Sequence, residues 1–109
     1  MLAECDRSIK LSIPAIRISV AQLLEKEYRL DQQTIAMRLG VTQAAVSKYL
    51  NGKHSYTTFV LMDFIKKRGI DRKIAKLIAS GCNIKEVNLQ IDRAASSPYI
   101  LKGASKLYH

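Results

Sequence analysis

The chain has 109 residues, enough for one domain with a core of its own. Eighteen Lys and Arg against nine Asp and Glu give a formal net charge of +9, which points to a polyanionic partner such as nucleic acid or to solubility alone. A hydrophobic share of 48% excludes wholesale disorder, and no run of about 18 apolar residues is present to span a bilayer.

Gly and Pro are scarce while Ile, Leu, Ala and Lys abound, so an all-α fold is expected: a compact bundle of five to six short helices. Residues 1–12 carry little pattern and read as a lead-in. They lack the continuous apolar region of a signal peptide, so the expected address is cytoplasmic. A helix is expected from Pro14, with Ser12 as its N-cap and Ile16, Val20, Leu23, Leu24 and Tyr28 as its buried stripe. Arg17, Glu25 and Lys26 fall off that stripe and read as solvated.

Asp31 is placed to cap a second helix, with Leu30 and Ile35 as a hydrophobic staple, and Gly40 to end it. The same grammar repeats at once. Thr42 is the next cap, Val41 and Val46 the next staple, and the helix runs from Gln43 to about Leu50 before Asn51-Gly52 stops it. Tyr56–Arg68 suits either a strand of a β-wing or a helix; the helix is preferred because Lys66, Lys67 and Arg68 precede Gly69, a helix-end signature. Asp71 would cap a helix over 72–80. Asn83 and Glu86 have capping-box spacing before a last helix to about Ala95, with Ile84, Val87, Ile91 and Ala94 as its apolar face. The chain thus divides into the lead-in 1–12, a helical domain over 13–95 with C-terminal helices over 57–95, and a tail over 96–109.

The segment 31–51 carries the functional argument. Two helices crossing across a three-residue turn need a small residue where their backbones meet, here Ala36, and one free to take positive φ, here Gly40. Ile35, Leu39, Val41 and Val46 would pack inward. Gln43, Ala44, Ser47 and Lys48 remain outward, offering an amide, a methyl, a hydroxyl and an ammonium, the groups suited to base edges and phosphates.

Gln32, Ala36, Gly40, Val46 and the closing Asn51-Gly52-Lys53, all in register, resemble the XRE or lambda-repressor-like helix-turn-helix family. With its Pro14-Ala15-Ile16-Arg17 start, the whole chain is also similar to small archaeal transcriptional regulators. The resemblance implies that the helix from Gln43 enters the major groove of double-stranded DNA, with Gln43, Ala44, Ser47 and Lys48 at base edges. Gln32, Gln33, Arg38, Thr42, Asn51, Lys53 and His54 would then line the DNA backbone.

A single short helix reads few bases, so a homodimer is expected, joined through the last helix or Phe59–Ile65. Other readings stay open: a protein-interaction module of coactivator or antitoxin type, or an RNA binder using the six cations among residues 66–76. Cys5 and Cys82 form no CxxC pair and read as reduced thiols, with a single bridge as the alternative. His54 and His109 have no second ligand at metal spacing, so no metal or cofactor is expected, and no nucleophile motif or phosphate loop points to an enzyme. The sequence names no effector ligand.

Overall fold

Side-chain caps set several of the helix starts. The structure, a computed structural model, describes residues 2–105, with side chains from residue 9 to residue 103. They form seven helices and no strand: α1 (Leu2–Lys26), α2 (Gln32–Leu39), α3 (Gln43–Asn51), α4 (Tyr56–Lys67), α5 (Ile70–Ala79), α6 (Ile84–Ala95) and α7 (Pro98–Ser105). Asp31 Oδ1 accepts the Thr34 N–H at 2.7 Å, Thr42 Oγ1 that of Ala45 at 3.1 Å, Ser55 Oγ that of Thr58 at 3.2 Å, and Asn83 Oδ1 that of Glu86 at 2.9 Å. Each satisfies one of the donors that a helix start leaves open. Glu86 does not complete a capping box, because its carboxylate accepts from Gln90 at 3.0 Å.

The 25 residues of α1 make a rod of about 37 Å, against which all six other helices pack. Ala15, Ile16, Ile18, Val20, Ala21 and Leu24 are all buried, so the helix is enclosed on more than one side. Around it gather Ile35, Leu39, Val46, Leu61, Ile65, Ile78, Ile91 and Ile100, every one fully buried. The result is one core, with a radius of gyration of 13.2 Å, as expected for a single compact domain of this length.

Several expectations need correction. Residues 1–12 are not a patternless lead-in: the helix begins at Leu2 and passes through Pro14. Ser12 is buried within it and is no cap. Proline removes one hydrogen bond from a helix interior, but Ile9, Leu11 and Ile13 pack on the core, and that burial outweighs the local cost. Tyr28 lies beyond the helix end and is 40% exposed, while Arg17 is half-buried with its Nε unpartnered. Asp71 lies inside the first turn of α5, which starts at Gly69 without a side-chain cap.

Part of the expected tail, residues 98–105, is helical. Ser97-Pro98 ends α6 and starts α7, with Ser97 Oγ 3.4 Å from the Ile100 N–H and Pro98 in the first helical position. Tyr99 packs edge-on to Phe64 at 5.7 Å and lies under the Arg68 guanidinium at 4.2 Å. Cys82 is a free, half-buried thiol. The side chain of Cys5 and all of His109 lie outside the described residues. Among those residues no helix is long and apolar enough to cross a membrane.

Capping also fixes an acid response. The Thr34 backbone N–H, and after it the Thr34 side chain, hold the Asp31 carboxyl below its ordinary value of 3.8. A depressed carboxyl stabilises the fold above its unfolded pKa, and that contribution is lost as pH falls through the folded value. Asp31→Asn, measured by urea denaturation across the range below about pH 4, is therefore expected to flatten the loss of stability on acidification. Superimposable acid limbs for the two proteins would contradict this.

Candidate nucleic-acid interface

Two helices and a three-residue turn build the site. At the end of α2, Gly40 takes φ 70°, and the Val41 N–H returns to the Ala36 carbonyl at 3.0 Å, the six-to-one bond of a Schellman turn. The chain reverses quickly enough for Thr42 to cap α3 two residues later. Ile35, Ala36, Leu39 and Val46 are buried and bind the pair of helices to the core. The α6 residue Ile84 buttresses the turn: a methyl group added at Gly40 would meet Ile84 Cγ2 at 2.9 Å.

With Val46 buried and Tyr49 and Leu50 half-buried, α3 presents Gln43, Ala44, Lys48 and Asn51 exposed and Ser47 half-exposed. Positions 43, 44, 47, 48 and 51 recur at helical spacing, so they form one outward strip. The strip holds one cation and no acid. The residues singled out for base contact are thus brought together on one face.

The end of α3 is tightly built. A side chain at Gly52 would place its Cβ 2.5 Å from the Lys48 carbonyl oxygen, so glycine is required here by close approach, its φ of −76° being ordinary. His54 Nε2 lies 3.1 Å from the Tyr49 carbonyl and, against that acceptor, must carry the proton. Its ring meets Phe59 edge-on at 6.0 Å. His54 therefore closes the turn after α3, leaving exposed Lys53 as the outward cation of that turn.

The expected backbone contacts separate into two groups. Gln33, Thr42, Asn51 and Lys53 are exposed, and Gln32 is half-exposed at the start of α2. That start is a poorer phosphate seat than its position implied, because the Asp31 carboxylate already occupies the Thr34 N–H and would repel an anion. Arg38 is engaged within the chain: its Nη1 donates to the Ile78 carbonyl at 2.8 Å, tying α2 to the C-terminal turn of α5. Arg38→Gln is expected to cost about 1–2 kcal/mol in chemical denaturation while leaving the salt dependence of any nucleic-acid binding unchanged. A change in salt slope with no loss of stability would reverse that assignment.

Ser55 and Tyr56 were not among the residues singled out. Ser55 caps α4 with a neutral hydroxyl, and its neighbour Tyr56 is 80% exposed. The signal was the Ser55–Thr58 spacing ahead of an apolar run. An uncharged cap leaves the positive end of α4 open to an anion, unlike the start of α2.

The basic segment 66–76 is dispersed. Lys67 pairs with Asp63 at 3.1 Å, and Arg68 sits over Tyr99. Lys66 and Arg72 rim a cavity against α1, whereas Lys73 borders a groove between α5 and α6. Both stripes expected to join two copies are largely consumed by the core: Leu61, Met62, Ile65, Val87 and Ile91 are buried within one chain. Phe59, Ile84 and Leu89 keep substantial exposure.

No protein-family model matches the chain, and no curated protein or solved structure gives a significant match.

Proposed function

We propose that the chain is a sequence-specific, double-stranded DNA-binding regulator of transcription, of the XRE or lambda-repressor-like helix-turn-helix type. In this reading α3 lies in the major groove with Gln43, Ala44, Ser47 and Lys48 at base edges. Lys53, Asn51, Gln32, Gln33 and Thr42 contact the backbone, joined by Tyr56 and the start of α4. The observation that carries the proposal is the outward strip of α3, free of acids and raised on a helix locked behind a buried Val46. The net charge of +9 supplies the counterion-release drive that such binding requires.

Two copies act together, since a strip this short spans few base pairs. Selection from a random duplex library at physiological salt tests both parts. The expected product is a two-fold symmetric motif with half-sites roughly 34 Å apart. A selection that enriches no sequence would defeat the reading and favour a protein-interaction module. An asymmetric short motif would defeat the dimer alone.

A further inference from the structure

One cavity, of about 280 Å³, lies away from the α3 strip, between α1 and the α4–α5 corner. From α1 it is lined by Ser19, Gln22 and Lys26, from the turn just after α1 by Glu27, and from the corner by Lys66, Asp71 and Arg72. Three cations and two carboxylates therefore border this space, Asp71 buried and the other four exposed to solvent, and among the described residues no ion pair joins them. Ser19 is 1% exposed and its hydroxyl has no hydrogen-bond partner, although a buried hydroxyl ordinarily finds one. Asp71 is 4% exposed, with Oδ1 accepting the Arg72 N–H at 2.9 Å. The cavity also meets the start of α5, whose N-terminus has no side-chain cap beyond that bond.

A simple anion would meet the three cations but face Asp71 and Glu27. A simple cation would leave Lys26, Lys66 and Arg72 without partners. A ligand of both signs with a net negative charge complements the whole lining. We propose that the cavity is an effector site for a small acidic zwitterion, an α-amino acid with a carboxylate side chain being the simplest. Arg72, Lys66 and Lys26 meet its carboxylates, Asp71 and Glu27 its ammonium, and Ser19 supplies the buried hydroxyl.

The site reaches the α3 end through Gln22. The Gln22 Nε2 lies 3.5 Å from the Tyr49 carbonyl, at the limit of a hydrogen bond, and His54 Nε2 contacts the same oxygen at 3.1 Å. A ligand carboxylate that draws the Gln22 amide inward removes that contact and shifts the turn carrying Lys53. Only this consequence rests on the DNA-binding proposal; occupancy of the cavity does not.

The test is a residue-resolved NMR titration of the full chain with L-glutamate at constant ionic strength, without DNA. Saturable shifts are expected at the amides of Ser19, Gln22 and residues 70–72, and in the turn from Tyr49 to His54. Glutarate, which lacks the ammonium, and inorganic phosphate should bind roughly tenfold more weakly, and Arg72→Gln should weaken glutamate roughly tenfold with the helical spectrum unchanged. Gln22→Leu should keep the cavity shifts and lose those at Tyr49–His54. Shifts that never saturate, or equal binding of glutarate, overturn the site. Cavity shifts unaccompanied by any at Tyr49–His54 in the wild type overturn the coupling. A failed duplex selection would leave the titration result standing.

Discussion

Alanine at Gly40 is expected to cost about 2–4 kcal/mol, lowering the melting temperature by roughly 10–20 °C in a domain of this size. Two penalties combine. A residue with a Cβ is strained at φ 70°, which alone accounts for about 1–2 kcal/mol. The added methyl would also stand 2.9 Å from Ile84 Cγ2, so Ile84 must leave its rotamer or α6 must shift. The parts are separable because the three nearest atoms to the added methyl all belong to Ile84, which is 42% exposed and hence replaceable. In an Ile84→Ala background, Gly40→Ala should cost only the backbone share. A double-mutant cycle by chemical denaturation measures the difference. Strict additivity would mean that α6 does not buttress the turn.

This turn was legible in the sequence because its causes are local. Asp31, Gly40 and Thr42 act on backbone groups no more than about five residues away, and spacing alone reveals them. What escaped notice depends on distant partners. Arg38 reads as an exposed cation on a short helix, and nothing nearby discloses that its acceptor is the Ile78 carbonyl, forty residues on. Pro14 has a strong local meaning as a helix start, which the burial of residues on both sides of it overrides. The sequence leaves residues 96–109 as a tail, but Ser97-Pro98 is also a good helix start, and the burial of Ile100 decides for the helix. Gly52 was placed correctly as a stop, though its reason is contact with the Lys48 carbonyl. The outward strip of α3 follows from helical spacing once Val46 is buried, whereas the dispersal of Lys66–Lys76 follows from where α1, α6 and α7 lie.

Lys53→Ala and Gln43→Ala are expected to fail in different ways, and the contrast tests how α3 docks. Lys53 is an exposed cation on a turn fixed by His54, so its loss should weaken binding to every duplex alike. The plot of log affinity against log salt should become shallower by about 0.9, one phosphate contact's worth. Gln43 carries no charge and begins the exposed strip, so its loss should leave the salt slope intact. Instead, discrimination at one base pair in each half-site should shrink by about 1–3 kcal/mol, roughly 5- to 150-fold, as measured on single-substitution duplexes. A general non-specific attraction between a +9 chain and a polyanion cannot produce that asymmetry, since every exposed cation would then count equally and a neutral amide not at all. Lys76→Ala supplies the comparison: it removes the same charge from α5, away from the strip, and should leave the slope within error of the parent. Equal slope changes for Lys53 and Lys76 would mean that charge alone holds the duplex and that α3 reads nothing.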